Sequence, residues 1–143
     1  MSVDSIRTTV IVDLNPPEAF EVFTAEMPKW YRRGAASLGR RDKEVVLRLE
    51  PHVGGHVLRV EPDGTEVATG QVTAWQPGER LCFVDQRGTE VEVWFEPQGA
   101  STRVVLEHRG LGMLPEDVAA TLAQYGWRRL PLWFEEYVKE RKT

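Results

Sequence analysis

The chain has 143 residues and a formal net charge of −4, with 41% hydrophobic and 28% charged residues. This length suits one domain with a substantial core, so we treat residues 1–143 as a single domain. The acidic balance disfavours nucleic-acid binding, and because no run of about 18 apolar residues occurs, we predict no transmembrane helix.

The cysteine count and the N-terminal sequence bear on location and chemistry. Cys82 is the single cysteine of the chain, which excludes an internal disulfide and a cysteine zinc cluster. Residues Met1 to Thr9 lack the basic and apolar regions of a signal peptide. We therefore expect a cytoplasmic protein that is not bound to a membrane and that holds no metal and no cofactor.

The beginning of the chain predicts one strand and two short helices. Residues Ile6 to Leu14 alternate and are rich in β-branched side chains, which favours a strand. Asn15 followed by Pro16-Pro17 is typical of a helix N-terminus, because Asn caps the first turn and Pro fits within it. A second short helix is predicted between Ala25 and Tyr31.

A basic segment follows in this acidic chain. Residues 29–44 contain six Lys or Arg side chains and two acidic ones. The segment is either an anion-attracting rim or partner site, or an ordinary solvated loop. Composition leaves both interpretations open.

Six further strand-like runs are separated by turn signals rich in Gly, Pro and Asp. Their close spacing predicts sequential antiparallel pairing, which gives a seven-stranded sheet together with the first strand. The runs are Val45–Glu50, His56–Glu61, Glu66–Trp75, Arg80–Val84, Glu90–Glu96 and Arg103–His108.

Alternation along four of these runs predicts which side chains point to the concave face of the sheet. The same alternation places Trp75 and Trp94 on the convex or edge side. The predicted inward set is Gly70, Val72, Ala74, Leu81, Phe83, Asp85, Val91, Val93, Phe95, Thr102, Val104, Leu106 and His108.

The C-terminal segment from Pro115 to Lys139 carries apolar side chains along one side at the helical period. A helix of about 25 residues spans roughly 40 Å and needs a large concave partner. Pro131 lacks a backbone N–H, and Gly126 lies at the centre of the apolar stripe. We therefore predict a bend between these two residues.

Several local motifs accompany this order of elements and together resemble the START-like (SRPBCC) superfamily. Within it the chain resembles the bacterial branch of the heat shock protein 90 ATPase activator homologue family. The motifs are Val53-Gly54-Gly55, Asp63-Gly64-Thr65, Gly70-Gln71-Val72, Trp75-Gln76-Pro77-Gly78-Glu79-Arg80-Leu81, Gly88-Thr89-Glu90-Val91-Glu92-Val93, Thr102-Arg103-Val104, Leu106-Glu107-His108-Arg109-Gly110 and Gly126-Trp127.

The resemblance spans Thr8 to Tyr137 and implies an α+β helix-grip fold. In this fold a curved seven-stranded antiparallel sheet wraps around a long C-terminal helix, with two short helices between the first two strands. The space between sheet and helix typically holds apolar ligands in the superfamily. The family name also implies a possible chaperone partner and a role in the stress response.

The candidate site is this cavity, and its polar members are His108 and Asp85. They form an acid–base or ion pair if both line the cavity; otherwise His108 is a structural histidine and Asp85 lies in water at a strand mouth. His52 and His56 flank a turn and not a helix face, so they do not predict a metal site. The predicted lining residues are Trp30, Tyr31, Val72, Phe83, Asp85, Val93, Phe95, Leu106, His108, Met113, Gly126, Trp127, Leu130 and Phe134.

Two parts of this set have alternative interpretations. The connection Gly110–Leu114, which includes Met113, is either a lid with an apolar door or a core-filling loop. The aromatic side chains either stack on a ligand or fill the core. If a pocket exists, we expect its ceiling to consist of Gly126, Trp127, Leu130 and Phe134.

Three functions follow, ranked in this order. The first is a non-enzymatic binding domain for a small hydrophobic or aromatic molecule. The second is a co-chaperone-like interaction module, with an exposed apolar patch around Trp75 and Trp94 or use of the basic segment. The third is an enzyme of the polyketide cyclase/aromatase kind, in which His108 and Asp85 would share one open pocket.

Overall fold

The structure is a computed structural model that describes residues 5–31, 46–86, 88–117 and 130–141. Most of the predicted basic segment and much of the predicted C-terminal helix, including Gly126 and Trp127, lie outside these ranges. The elements are β1 (Ser5–Val12), α1 (Pro16–Ala25), α2 (Met27–Trp30), β2 (Val46–Leu49), β3 (His56–Val60), β4 (Glu66–Gln76), β5 (Arg80–Asp85), β6 (Glu90–Gln98), β7 (Ser101–Arg109), a 3-10 turn (Leu111–Met113) and α3 (Leu130–Arg141).

The seven strands form one curled antiparallel sheet in the order β1-β7-β6-β5-β4-β3-β2. Strands β2 to β7 pair with their neighbours in sequence, as predicted, and β1 pairs with β7, from Ser5 opposite Arg109 to Val12 opposite Thr102. The Thr102 hydroxyl also donates to the Leu14 carbonyl at 2.7 Å. The α+β helix-grip fold predicted from the sequence is therefore confirmed.

Helix α1 begins as its sequence predicts. The Asn15 side chain accepts the Glu18 backbone N–H at 2.9 Å, and the two prolines occupy the first turn.

Within the described ranges, no helix is long and apolar enough to cross a membrane.

An aromatic cluster centred on Phe23 joins α1, α2, β6 and α3. The ring centroid of Phe23 lies 4.9 Å from that of Trp30, 5.0 Å from Phe134 and 5.6 Å from Phe95. Phe23 and Phe134 are 0% exposed. The Trp30 indole N–H donates to the Phe23 carbonyl at 3.1 Å, so its single polar atom is satisfied inside the cluster.

A β-bulge in β4 changes which side chains of that strand face inward. The register passes from Val72 opposite Phe83 to Ala74 opposite Cys82, and Thr73 is the extra residue. Because one extra residue reverses the alternation, Trp75 lies opposite the buried Leu81.

Two predictions of face are therefore wrong. Trp75 is not on the convex side, since it packs against the core with its ring centroid 5.1 Å from that of Phe20. Ala74 shares the convex side with Cys82 instead of facing inward. The predicted inward residues of β6 and β7 are all buried, and those of β5 are buried except Asp85, which is half-buried.

Ion pairs cover the convex face of the sheet. Arg109 donates to Glu90, Glu92 and Glu107 at 2.5 to 2.8 Å, and Arg80 also pairs with Glu92. Beneath them Cys82 is almost fully buried, and this burial raises the pKa of its thiol to about 11. These long side chains shield the small apolar residues of the outer face from water.

Helix α3 is clamped to the junction of α1 and α2 by Glu26. The Tyr137 hydroxyl donates to Glu26 Oε1 at 2.5 Å, and Arg141 donates to both oxygens at 3.1 and 3.0 Å. Next to this clamp, Phe134 and Val138 are buried. The end of the chain is therefore held by both apolar burial and a charged pair.

Gly70 is expected to tolerate no side chain, because a Cβ there would lie 2.2 Å from the Val84 carbonyl oxygen. We expect Gly70→Ala to lower the free energy of unfolding by about 3 kcal/mol or more, since backbone atoms must move. As a control, Gly99→Ala puts its methyl group in open space at a φ of +60° and should cost about 1 kcal/mol. Urea unfolding measures both, and equal losses would contradict the steric account.

The Glu26 clamp predicts a stability change in acid. Burial raises the pKa of Glu26, but the hydrogen bonds from Arg141 and Tyr137 prevail and hold it below its ordinary value. A depressed pKa in the folded state means that this stabilisation is complete above the unfolded-state pKa and is lost as pH falls through the folded value.

We expect Glu26→Gln to reduce the free energy of unfolding by about 1 kcal/mol at neutral pH, because Arg141 is partly exposed. The difference from the unsubstituted protein should shrink as pH falls through the lowered pKa of Glu26. The exposed Glu136 on the same helix provides the control Glu136→Gln. A pH-independent difference in chemical denaturation would contradict the clamp.

Candidate ligand-binding site

The predicted lining residues of β4 to β7 lie side by side on the concave face. Across the sheet, Val93 is opposite both Leu106 and Leu81. In the next row, Val91 is opposite both His108 and Phe83, and Phe83 is opposite Val72. The sequence-predicted residues Val72, Phe83, Val93, Leu106 and His108 are therefore brought together by the register.

His108 is the polar member of this apolar row. It is 2% exposed, and its Nε2 lies 3.0 Å from the hydroxyl oxygen of Thr89, which is 1% exposed. The Thr89 hydroxyl donates to Asp85 Oδ2 at 2.8 Å, and the Thr89 backbone N–H donates to Asp85 Oδ1 at 3.1 Å. A continuous hydrogen-bonded chain thus runs from Asp85 through Thr89 to His108.

The turn between β5 and β6 fixes this chain. The Asp85 N–H donates to the Thr89 carbonyl at 2.9 Å, and the Gly88 N–H donates to the Asp85 carbonyl at 3.0 Å. Gly88 has a φ of +90°, which a residue with a side chain rarely adopts. Local turn geometry therefore sets where Asp85 and Thr89 lie, and pairing of β6 with β7 brings His108 to them.

Sequence reasoning identified Asp85 and His108 as candidate site residues but missed Thr89, which links them by hydrogen bonds. The sequence predicts Asp85 and His108 as a pair, and the structure connects them through the Thr89 hydroxyl. The available signal was an Asp four residues before a Thr across a glycine turn, a spacing that favours side-chain capping of the turn. That signal does not indicate a His from another strand.

The aromatic end of the predicted site is densely packed. Trp30, Phe95 and Phe134 are all buried in the cluster around Phe23, and Tyr31 lies half-buried with its ring centroid 6.3 Å from that of Trp30. These residues therefore form part of the core. Their contact with a ligand stays a prediction.

The side chains of the connection after β7 lie partly in the core and partly at the surface. Leu111 is fully buried, whereas Met113 is 78% exposed. The apolar door predicted for this segment therefore consists of the buried Leu111, the half-buried Leu114 and the exposed Met113. Most of the predicted pocket ceiling lies outside the residues that the structure describes. Gly126 and Trp127 are among the residues left out, and Leu130 is described by its backbone alone.

The His52–His56 region has a structural arrangement of its own. Glu50 Oε1 accepts the His56 N–H at 2.7 Å and lies 2.8 Å from His56 Nδ1, and these contacts hold the pKa of Glu50 below its ordinary value. Across the part of the chain that the structure describes, no three His, Cys, Asp or Glu side chains cluster closely enough to hold a metal ion.

Comparison with known proteins gives a family match. The model of a family described as activator of Hsp90 ATPase homolog 1-like protein matches residues 13–139. A search of the curated proteins finds no significant match.

Solved structures of similar fold cover nearly the whole chain. An anthrahydroquino-γ-pyrone synthase, solved with a bound ligand, is 29% identical over 94% of this chain and 97% of its own, with a TM-score of 0.65. An AHSA1-like protein from Aeromonas hydrophila is 21% identical over 96% and 94%, with a TM-score of 0.66. A protein from Nitrosomonas europaea has 13% identity, 96% coverage of both chains and a TM-score of 0.68.

Proposed function

The chain belongs to the family of activator of Hsp90 ATPase homolog 1-like proteins, and we propose that it binds a small hydrophobic or aromatic molecule on the concave face of its sheet. The observation that carries this proposal is the buried His108, hydrogen-bonded through Thr89 to Asp85 within an apolar row. Small-molecule sites are mostly apolar and contain a few fixed polar groups that orient the ligand.

The chemistry of the row favours an aromatic ligand that carries oxygen substituents. Val72, Phe83 and Val91 offer apolar contact beside His108, whose imidazole supplies a hydrogen-bonding group. The synthase that is 29% identical to this chain is named for an anthrahydroquino-γ-pyrone, a fused aromatic system with ring oxygen and carbonyl groups. That similarity supports the same ligand class here.

The described surface gives less support to a chaperone-interacting module. That alternative expected an exposed patch around Trp75 and Trp94. Trp75 packs inward, and the Arg7 guanidinium lies 5.8 Å from the Trp94 ring centroid on a face covered by ion pairs. The basic segment, a chaperone partner, a stress-response role and a cytoplasmic location stay predictions.

The binding proposal predicts a stabilisation by ligand that depends on His108. With 1,8-dihydroxyanthraquinone as the probe, we expect a rise in melting temperature that corresponds to about 2.7 kcal/mol at a hundredfold excess over Kd. His108→Leu should weaken binding about tenfold, the value of one hydrogen bond.

The matched control is His52→Leu, a change at an exposed histidine outside the concave row. It should leave the affinity unchanged in the same fluorescence or calorimetric titration. A decanoate titration separates aromatic from purely aliphatic binding. No thermal shift with either probe, or equal affinity of the His108 and His52 variants, would contradict the proposal.

A second candidate function is catalysis of ring closure, which the 29% identity to the synthase favours specifically. In such a reaction a phenol oxygen adds to a ketone carbon, and water then leaves to form the pyrone. His108 would act as the acid–base group, with Asp85 and Thr89 orienting it. This candidate uses the same concave row and adds a chemical step.

An o-hydroxyaryl 1,3-diketone, which closes to a γ-benzopyrone with loss of water, is a suitable probe and is followed by absorbance. If catalysis occurs, His108→Gln should lower the rate by about 100-fold or more, because general acid–base catalysis contributes at least that much. Binding of the diketone should change far less. A rate equal to that without protein would refute the catalytic candidate and leave the binding proposal standing.

A further inference from the structure

The hydroxyl of Thr89 can donate only one hydrogen, and its position determines where that hydrogen goes. Asp85 Oδ2 lies 2.8 Å away, and a carboxylate oxygen only accepts hydrogen bonds. The other Asp85 oxygen already accepts the Thr89 backbone N–H at 3.1 Å. The Thr89 hydroxyl hydrogen is therefore directed to Asp85, and its oxygen is left as an acceptor.

His108 completes the chain from the other side. Its Nε2 lies 3.0 Å from the Thr89 oxygen, which is committed as a donor to Asp85. A hydrogen bond at this distance then requires the hydrogen to be on Nε2. In the neutral ring, the lone pair must accordingly be on Nδ1.

From this arrangement we propose that Thr89 is a positioning residue, which holds His108 as the Nε2–H tautomer and thereby makes Nδ1 the atom at which the imidazole gains or loses a proton. Asp85 is the anchor of the arrangement, because its Oδ2 accepts the Thr89 hydroxyl hydrogen and its Oδ1 accepts the Thr89 backbone N–H. The Thr89 hydroxyl acts through His108, because its hydrogen is on Asp85 Oδ2 and its oxygen lies at His108 Nε2.

The surroundings of His108 agree with this role. Its cross-strand neighbours are Ile6 on β1 and Val91 on β6, both apolar. Among the described residues, Asp85 is the charged group to which the hydrogen bonds of Thr89 connect the His108 ring. Arg109, the next residue along β7, lies on the opposite face with Glu90 and Glu92, whereas the His108 ring lies against the Thr89 hydroxyl.

This inference deepens the proposed function, on which it rests for its purpose, but its test needs no ligand. Proton-detected nitrogen-15 spectroscopy of the ligand-free protein reports which ring nitrogen of each histidine carries the hydrogen. The chain has three histidines, and His52→Gln and His56→Gln variants assign their signals. We expect the His108 signals to be those of the Nε2–H tautomer.

Two variants at one position separate the hydroxyl from the shape of the side chain. Thr89→Ser keeps the hydroxyl and should keep the tautomer, whereas Thr89→Val keeps the shape and should shift the population toward Nδ1–H. The melting temperature of each variant checks that it is folded. An Nδ1–H signal in the unsubstituted protein, or a tautomer unchanged in Thr89→Val, would overturn the inference.

The same variants keep the two proposals distinguishable. If the tautomer is as expected but 1,8-dihydroxyanthraquinone does not bind, the positioning role stands and the proposed function fails. If the probe binds but the tautomer is Nδ1–H, the function stands and the positioning role fails. The spectrum of the unsubstituted protein gives this answer even if a Thr89 variant does not fold.

Discussion

Burial of Phe23 is the constraint on which the rest of the structure depends. Its ring is in contact with rings from α2, β6 and α3, so one side chain joins both helical regions to the sheet. Helix α1 is short, and a helix of this length gains most of its stability from packing and not from its own hydrogen bonds. The position of α1 across the sheet is therefore set by this cluster, which also determines how much of the concave face is left for other contacts.

The accuracy of the sequence predictions follows the range of the interactions involved. The Asn15 cap and the turn after β5 depend on neighbouring residues, and both were predictable from local chemistry. The outward placement of Trp75 was wrong because the bulge at Thr73 depends on how β4 fits the curvature of β5. The alternating pattern of a strand sequence contains no local signal that reveals such an extra residue.

In the candidate site, too, the local features were predictable and the contacts between distant strands were not. Alternation correctly placed His108 and Asp85 on one face, but the side chain that connects them belongs to a third position. Thr89 precedes β6, and its role appears only when β7 is paired with that strand. A buried imidazole without hydrogen bonds would cost about 1–3 kcal/mol, so the chain through Thr89 offsets a cost that the apolar neighbours cannot.

The pairing of β1 with β7 has a consequence for how the chain folds. Ser5 lies opposite Arg109, and the Thr102–Leu14 hydrogen bond joins residues 88 positions apart. During synthesis, the first strand must therefore wait for nearly the entire sheet before its partner exists. Contacts of such long sequence separation slow folding, and an unpaired strand edge is a site of aggregation. The exposed Ile11 on β1 would be part of that edge until β7 is complete.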